Sequence, residues 1–234
     1  MSSSLPESGG STLPSPTSVD RDPLAPAPVL AVVFDLGNVL IEWDAYAAIS
    51  TVVGDERARG FLADETFDFH AWNMQQDAGR AWEDAEADAI ARHPHYREEI
   101  LAYREHFEAS LVGPIEGTVD ILRELHAAGT PLFALTNWSH ELFPVALARF
   151  DFLQLFEDIV ISGEEGIAKP DPEIFEVLAE RLEHIGDLEE TIFIDDRLDN
   201  VQAAVLAGMD AVQFTSPSDL RADLLFRGLP VKAI

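Results

Sequence analysis

The chain contains short, mainly apolar runs, each of which stops at a polar residue or at a turn. The first run, 30–34 (LAVVF), ends at Asp35 and is followed by a Gly-Asn turn. Comparable runs recur at 131–135, 159–161, 191–194 and 211–214. Runs of this length are typical of strands that are buried on both faces of a parallel sheet.

Segments with helical periodicity separate these runs. The pattern predicts helices over 116–128, 141–149, 173–184 and 198–207. Strands that alternate with helices imply βαβ units with right-handed crossovers. We therefore predict an α/β fold with a Rossmann-like parallel sheet and helices on both of its faces.

Residues 43–112 have a different composition from the rest of the chain. Aromatic residues are spread there among Asp, Glu, Arg and Ala, with few β-branched residues, which is typical of amphipathic helices. Tyr103, Phe107 and Leu111 recur at four-residue steps and predict one helical face. Pro94 predicts the start or the interruption of a helix.

These patterns divide the chain into three parts. Residues 1–28 are rich in Ser and Pro and lack periodic apolar positions, which predicts a disordered tail. Residues 29–42 and 113–234 are predicted to form the α/β core, and residues 43–112 a helical cap inserted after the first strand.

Composition narrows the functional classes. The 234 residues include no cysteine, which excludes disulfides, thiolate catalysis and cysteine-ligated metals. The formal net charge of −28 disfavours a nucleic-acid partner, and a small anionic substrate would need a local cation to offset this charge. We find no run that could span a bilayer and no signal peptide, so we expect no membrane partner and a cytoplasmic location. Nothing in the sequence indicates the oligomeric state.

Three of the apolar runs end on residues that can carry chemistry. Asp35 follows the first run, Thr136 and Asn137 follow the second, and Asp195-Asp196 (195–196) follow a later one. Lys169 lies in a loop rich in Gly and Pro. Because the carboxyl ends of parallel strands share one edge of a sheet, we expect these side chains to converge. Alone, the residues at the ends of the runs could cap a helix or a turn, and Lys169 could be a solvated loop charge.

Together these residues fit phosphoryl transfer. A carboxylate such as Asp35 can attack phosphorus and form an aspartyl-phosphate, which divides one difficult transfer into two easier ones. Two further carboxylates, Asp195 and Asp196, are unfavourable beside it unless a hard cation binds among them. Oxygen ligands and a phosphate substrate favour Mg²⁺.

At this point the sequence resembles the haloacid dehalogenase-like hydrolase superfamily, a group dominated by phosphatases. Its four motifs occur in order at 34–39 (FDLGNV), 135–137 (LTN), 169–170 (KP) and 193–196 (FIDD). The residues of these motifs look most like those of one branch of the family, which is of the subfamily IA type. This branch contains bacterial glucose-1-phosphate phosphatases. In this family the helical insertion corresponds to a cap over the active site.

The resemblance also implies roles for individual residues. Asp35, Asp196 and the Gly37 backbone carbonyl would ligate Mg²⁺, with Asp195 and Asn200 as nearby support. Lys169 would neutralise the phosphoryl oxygens together with Asp35.

Three further residues are expected near the substrate. The Thr136 hydroxyl and a neighbouring amide would hydrogen-bond the transferring group. Asn137 and Trp138 follow directly, and we expect both to contact the substrate.

Position 37 departs from the family pattern. Most phosphatases of the superfamily carry there a second Asp, which protonates the leaving group and then activates water, whereas this chain has Gly37. General acid–base catalysis contributes roughly 10²–10⁴-fold to a rate. Glu42, Asp44 and His70 are candidates for the missing group, and the sequence does not choose among them.

Three functions follow from this pattern. The first is a Mg²⁺-dependent phosphatase that acts on a small phosphorylated metabolite, a sugar phosphate being one candidate. The second is a 2-haloacid dehalogenase, in which Asp35 attacks carbon without a metal. The third is a phosphate-binding module that does not catalyse turnover. The carboxylate pair at 195–196 favours the first, because a metal-free site has no use for that charge.

Overall fold

The computed structural model describes residues 29–233, so the disordered tail predicted over 1–28 lies outside the described residues. The strands of this part are β1 (Ala31–Phe34), β2 (Ile41–Trp43), β3 (Leu111–Pro114), β4 (Leu132–Thr136), β5 (Asp158–Ile161), β6 (Thr191–Asp195) and β7 (Asp210–Gln213). Five of them form one parallel sheet in the order β5-β4-β1-β6-β7. The predicted parallel α/β architecture is therefore confirmed.

Helices occupy most of the remaining described chain. They are α1 (Ala45–Val53), α2 (Asp55–Leu62), α3 (Phe69–Asp77), α4 (Trp82–Arg92), α5 (Arg97–Glu105), α6 (Phe107–Ser110), α7 (Glu116–Ala127), α8 (Phe143–Arg149), α9 (Ser162–Glu165), α10 (Pro172–Leu182), α11 (Leu198–Leu206) and α12 (Pro217–Phe226). Short 3₁₀ turns lie at Pro94–Tyr96, Asp151–Leu155 and Leu188–Glu190. Between residues 29 and 233, none of these helices combines the length and the apolar character that crossing a membrane requires.

The central strand β1 explains why both faces of the sheet are covered. Its residues alternate between two hydrophobic clusters: Val32 and Phe34 pack into one, and Ala31 and Val33 into the other. All four are fully buried. Because successive side chains of a strand point to opposite faces, a strand with helices on both sides must be apolar throughout.

The strand register brings the carboxyl ends of three strands together. Phe34 of β1 is level with Ala134 of β4 and with Ile194 of β6. The residues that follow these positions therefore emerge side by side at the carboxyl edge of the sheet, where open α/β sheets bind ligands.

A short antiparallel ribbon connects this sheet to the helical insertion. Strands β2 and β3 pair, with Ile41 opposite Pro114 and Trp43 opposite Leu111. The single helical face predicted through Tyr103 and Leu111 is wrong, because the helix breaks at His106 and Leu111 opens β3. Tyr103, Phe107 and Leu111 are nevertheless all buried. Leu111 is in a strand and not in a helix because β3 pairs with β2.

The helical insertion, residues 45–110, comprises α1 to α6 and is built around stacked aromatic rings. Trp72 packs edge-on against Trp82 at 5.3 Å between ring centroids, and Phe69 meets Tyr103 at 5.0 Å. Edge-to-face packing at these distances is favourable for aromatic pairs. These side chains belong to the same apolar cluster as Phe34 of the sheet, so the insertion and the core share one hydrophobic cluster.

Candidate active site

The carboxyl edge of the sheet forms the floor of a cavity of about 400 Å³. Asp35, Lys169 and Asp196 line its floor, and the helical insertion forms the opposite wall. This volume lies within the range of sites that bind small molecules. The structure thus brings Asp35, Lys169 and Asp196 together at this edge, whereas Thr136 does not line the cavity.

Lys169 is the central cation of this floor. Its buried Nζ lies 3.1 Å from Asp35 Oδ1 and 2.7 Å from Asp195 Oδ2, and it donates a hydrogen bond of 2.7 Å to the Leu135 carbonyl. Burial lowers the pKa of Lys169, but the charges of Asp35 and Asp195 outweigh it and raise the pKa above its ordinary value. Lys169 therefore stays protonated although it is buried.

Asp195 holds this arrangement in place. It is completely buried, and its oxygens accept hydrogen bonds from Lys169 Nζ, from Asn200 Nδ2 at 3.0 Å and from the Arg197 backbone N–H at 2.8 Å. Its side chain is not part of the cavity wall. With this many donors around it, Asp195 is better suited to fixing Lys169 than to binding substrate.

Asp35 and Asp196 carry the charge that Lys169 does not balance. Oxygen atoms of Asp35, Asp195 and Asp196 lie within 4.8 Å of one another. Burial raises the pKa of Asp35, Lys169 lowers it, and the two other carboxylates raise it again. Burial and the neighbouring Asp195 also raise the pKa of Asp196. Three carboxylates face one ammonium group, so a divalent cation would neutralise the surplus.

Gly37 lies beside these carboxylates and lines the cavity. A Cβ atom built at this position meets no heavy atom within 4 Å. Lack of space therefore does not explain why this chain has no second Asp at position 37.

The residues after β4 occupy three different environments. Thr136 is buried at the end of the strand and is not among the residues that line the cavity. The Asn137 side chain lines the cavity but exchanges two hydrogen bonds of 2.8 Å with the Lys169 backbone. Asn137 thus fixes the loop that carries Lys169. Trp138 lines the cavity, and its indole N–H is buried without a hydrogen-bond partner.

The wall opposite the carboxylates is mostly apolar. Its apolar residues are Trp43, Met74, Trp82, Tyr103, Phe107, Trp138 and Leu142, and the polar residues His70, Asn73 and Asp77 line the cavity from the insertion as well. The Trp43 indole N–H donates to the Tyr103 hydroxyl at 3.3 Å, which ties the ribbon to helix α5. The cavity therefore joins a charged floor to an aromatic wall.

The candidates for proton transfer differ in their positions. Glu42 is exposed on β2 outside the cavity, and the Asp44 carboxylate caps α1 by accepting from the Tyr46 N–H at 2.9 Å. His70 lines the cavity from the insertion.

Three charged residues of the cavity, Arg197, Asp77 and Asp199, were not expected from the sequence. Arg197 is exposed on the cavity wall, paired with Asp199 at 2.6 Å, and adds a second basic side chain of the Lys/Arg type to the cavity lining. Asp77, at the end of α3, lines the cavity from the insertion side. An Arg beside the FIDD motif was a usable signal for the first, whereas no local pattern marks the second.

Two curated proteins resemble the chain along most of its length. It is 28% identical over 196 residues to the sesquiterpene phosphatase astK of Aspergillus oryzae, an alignment that covers 79% of this chain and 89% of that protein. It is 28% identical over 201 residues to drimenol cyclase drtB of Aspergillus calidoustus, covering 84% of this chain. The alignment spans only 36% of the length of that cyclase.

The fold has counterparts among solved structures. The magnesium complex of bt-2542, a HAD family enzyme of Bacteroides thetaiotaomicron, superposes with a TM-score of 0.65 at 24% identity. The superposition covers 85% of this chain and 98% of that one. At this identity the likeness concerns the fold.

The family itself is established by the sequence profile of the haloacid dehalogenase-like hydrolases. This profile matches residues 29–208, from the first described residue to two residues beyond the end of α11. The match spans most of the chain, and the chain belongs to the haloacid dehalogenase-like hydrolase family.

Proposed function

We propose that the protein is a Mg²⁺-dependent phosphatase that hydrolyses a small phosphorylated metabolite through an aspartyl-phosphate on Asp35. The observation that carries this proposal is the charge of the floor, where Lys169 contacts two carboxylates and Asp196 adds a third. A site of this kind is suited to a dianionic substrate only when a divalent cation joins it.

The residues divide the work of phosphoryl transfer between them. Asp35 Oδ attacks phosphorus, the ester P–O bond breaks, and the alcohol leaves. Water then attacks the aspartyl-phosphate and releases inorganic phosphate and free Asp35. Lys169 stabilises the charge on the phosphoryl oxygens during both steps, and its own position is fixed by Asp195 and Asn137.

Asp35, Asp196 and the Gly37 carbonyl are the groups that would hold Mg²⁺, with Asp195 and Asn200 behind them. Burial and then the neighbouring carboxylates raise the pKa values of Asp35 and Asp196 although Lys169 lowers both, and a bound cation would offset this surplus of negative charge. When bound, the metal supplies positive charge to the phosphate oxygens. The bt-2542 complexes with magnesium and with inorganic phosphate support the same choice of ion.

Phosphate release, halide release and metal dependence separate the three candidate functions. We expect phosphate release from a panel of phosphate monoesters with Mg²⁺, and none with EDTA, because the surplus carboxylates would then repel the substrate. Halide release from 2-haloacids that persists in EDTA would establish the dehalogenase instead. Metal-dependent phosphate binding without turnover on any ester would identify a binding module.

The aromatic wall bears on the organic part of the substrate. The family resemblance suggests a sugar phosphate, whereas a wall of tryptophan, tyrosine, phenylalanine and methionine offers mainly apolar contact. The unpartnered Trp138 indole N–H provides one hydrogen-bond donor for an oxygen of the substrate. The name of the relative astK, a sesquiterpene phosphatase, points the same way. We therefore propose a phosphate ester with an apolar organic group.

The Met74→Gln variant tests this preference. Met74 lines the cavity and is 49% exposed, so the substitution changes the wall without opening the core. We expect kcat/KM for an alkyl or prenyl phosphate to fall by about 3–10-fold, since each buried CH₂ contributes roughly 0.8 kcal/mol. The value for glucose 1-phosphate should not change. The control is Leu206→Gln, which alters an exposed apolar residue outside the cavity. Equal losses on both substrates would argue against an apolar substrate.

A further inference from the structure

The proposed phosphatase needs a group that protonates the leaving oxygen, and Gly37 does not provide one. Asp77 is a carboxylic acid on the opposite side of the same cavity. It is the last residue of α3 and lines the cavity together with Asp35. We propose that Asp77 is the acid–base residue of this enzyme and that the helical insertion, rather than the loop after β1, supplies it. This inference rests on the proposed function.

Contacts from the core hold Asp77 at the junction between the insertion and the sheet. The Asp77 backbone carbonyl accepts a hydrogen bond from the Ser162 hydroxyl. The same hydroxyl accepts a hydrogen bond of 2.9 Å from the backbone N–H of Trp138. Two residues further on, a Cβ built on Gly79 would lie 3.2 Å from the Gly163 carbonyl oxygen. The backbone at the end of α3 thus packs directly on α9, which fixes the position of Asp77 relative to the floor.

Neighbouring groups also orient the side chain. Asn73, one turn earlier on α3, donates to Asp77 Oδ2 at 2.9 Å. Asn73 Oδ1 is itself buried without a hydrogen-bond partner, although Asn73 lines the cavity. An acceptor of this kind beside a carboxyl group is suited to hold a water molecule or a substrate hydroxyl, as the second half-reaction requires.

The surroundings of Asp77 favour its protonated form at neutral pH. Burial raises the pKa of Asp77 to about 8; the Ser139 backbone N–H opposes this, and the charge of Asp35 adds to it. Across the cavity, Tyr103 on α5 also senses this carboxyl group, since burial and then the charge of Asp77 raise its pKa.

The remaining charged groups near α3 have other partners or face solvent. On α4, Glu86 pairs with Arg104 and Asp88 with Arg80, while Glu83 and Asp84 are exposed. On α9, Glu165 pairs with Arg181 and Glu164 is exposed, and His70 lies two turns before Asp77 on α3 itself.

With Asp77 in this role, every proton transfer of the reaction has a donor and an acceptor. As Asp35 attacks phosphorus and the ester bond breaks, the Asp77 carboxyl group gives its proton to the departing oxygen, and a neutral alcohol leaves. The resulting Asp77 carboxylate takes a proton from the water that attacks the aspartyl-phosphate. Inorganic phosphate departs, Asp35 is free again, and Asp77 is once more protonated.

The Asp77→Asn variant tests this role on esters whose leaving groups differ. With 4-nitrophenyl phosphate, the first equivalent of 4-nitrophenol should appear at nearly the wild-type rate, because this leaving group needs no acid. Steady turnover should then fall by about 10²-fold, since water attack has lost its base, so a burst of one equivalent per enzyme should be seen. With an alkyl phosphate the first turnover itself should slow by about 10²–10⁴-fold and show no burst.

Two further readouts separate proton transfer from a structural role. The wild-type rate on the alkyl phosphate should fall as the pH rises through the pKa of Asp77, and this decline should be absent in Asp77→Asn. Asp84→Asn, an exposed carboxyl group on α4, serves as the control and should behave as wild type. The Asp77→Asn variant should also be no less stable than wild type above pH 8, because it removes a carboxylate whose ionised form is disfavoured in the fold.

The outcomes are distinguishable. Equal losses on both esters, without a burst and with a lower melting temperature, would show that Asp77 is only structural and would overturn the inference. An active Asp77→Asn enzyme with an unchanged alkyl phosphate rate would overturn it as well, and would leave the proposed function intact. A wild-type protein that hydrolyses no phosphate ester with Mg²⁺ would refute the proposed function itself.

Discussion

The Asp35→Asn variant is expected to release no measurable phosphate from any ester that the wild-type protein hydrolyses. An amide oxygen is a poor nucleophile towards phosphorus, and the neighbouring Asp195 cannot take over, because its oxygens are surrounded by hydrogen-bond donors. Loss of a covalent nucleophile costs about 10⁴-fold or more in kcat. Phosphate release with Mg²⁺ in excess, measured beside the wild-type protein, gives this factor directly.

The same variant should keep its fold. Burial and then the neighbouring carboxylates raise the pKa of Asp35, so asparagine removes an unfavourable charge while Lys169 retains its ion pair with Asp195. Its melting temperature should therefore equal or exceed that of the wild type at pH 7 and above. Asp120→Asn, on the exposed side of α7, is the matched control and should leave activity unchanged. An Asp35→Asn protein that still turns over would assign the nucleophile to another residue.

The sheet was accessible from the sequence because its strands carry strong local signals. β1 and β6 are uninterrupted apolar runs, and each ends at a carboxylate, so both the strand and the position of its polar end can be identified in the sequence. Lys169 was found through the four-motif pattern, since a lysine in a loop has no periodicity of its own. Its contacts with Asp35 and Asp195 are long-range and emerge only from the packing.

The insertion was harder to interpret, because tertiary pairing overrides local periodicity there. Leu111 continues a helical spacing in the sequence, yet it pairs with Trp43 in the ribbon that joins the insertion to the sheet. Asp77 is the last residue of a helix and gains its environment only when α3 packs on α9. No pattern along the chain encodes that approach.

Gly37 shows how the two levels of information combine. The sequence identifies a missing carboxylate at this position, and the structure shows open space where its Cβ would be. The cavity then presents Asp77 from the other side. An acid that belongs to the insertion couples proton transfer to the same element that contacts the organic part of the substrate. A substrate that displaces α3 would lose its proton donor, so binding specificity and rate would change together.

Lys169→Met is expected to abolish activity and also to destabilise the fold, in contrast to Asp35→Asn. Lys169 is the ammonium group that Asp35 and Asp195 share in a buried site, and methionine fills a similar volume without charge. Removing one partner of a buried ion pair leaves an uncompensated charge and costs about 3–5 kcal/mol. Chemical denaturation of the variant and of the wild type at pH 7, both without divalent metal, measures the difference in the free energy of unfolding.

The pH dependence and the metal dependence of this loss identify its cause. Lys169 lowers the pKa of Asp35, so its removal raises that pKa further above the unfolded value. The folded variant then binds more protons than the unfolded chain, and its stability should fall as the pH rises towards the raised pKa and recover in acid. Mg²⁺ should restore part of the lost stability, because it supplies the missing positive charge. Lys232→Met, at the other lysine of the chain, is exposed and should match the wild type in every measurement. A Lys169→Met protein whose stability deficit responded neither to pH nor to Mg²⁺ would mean that packing, not charge, holds this site together.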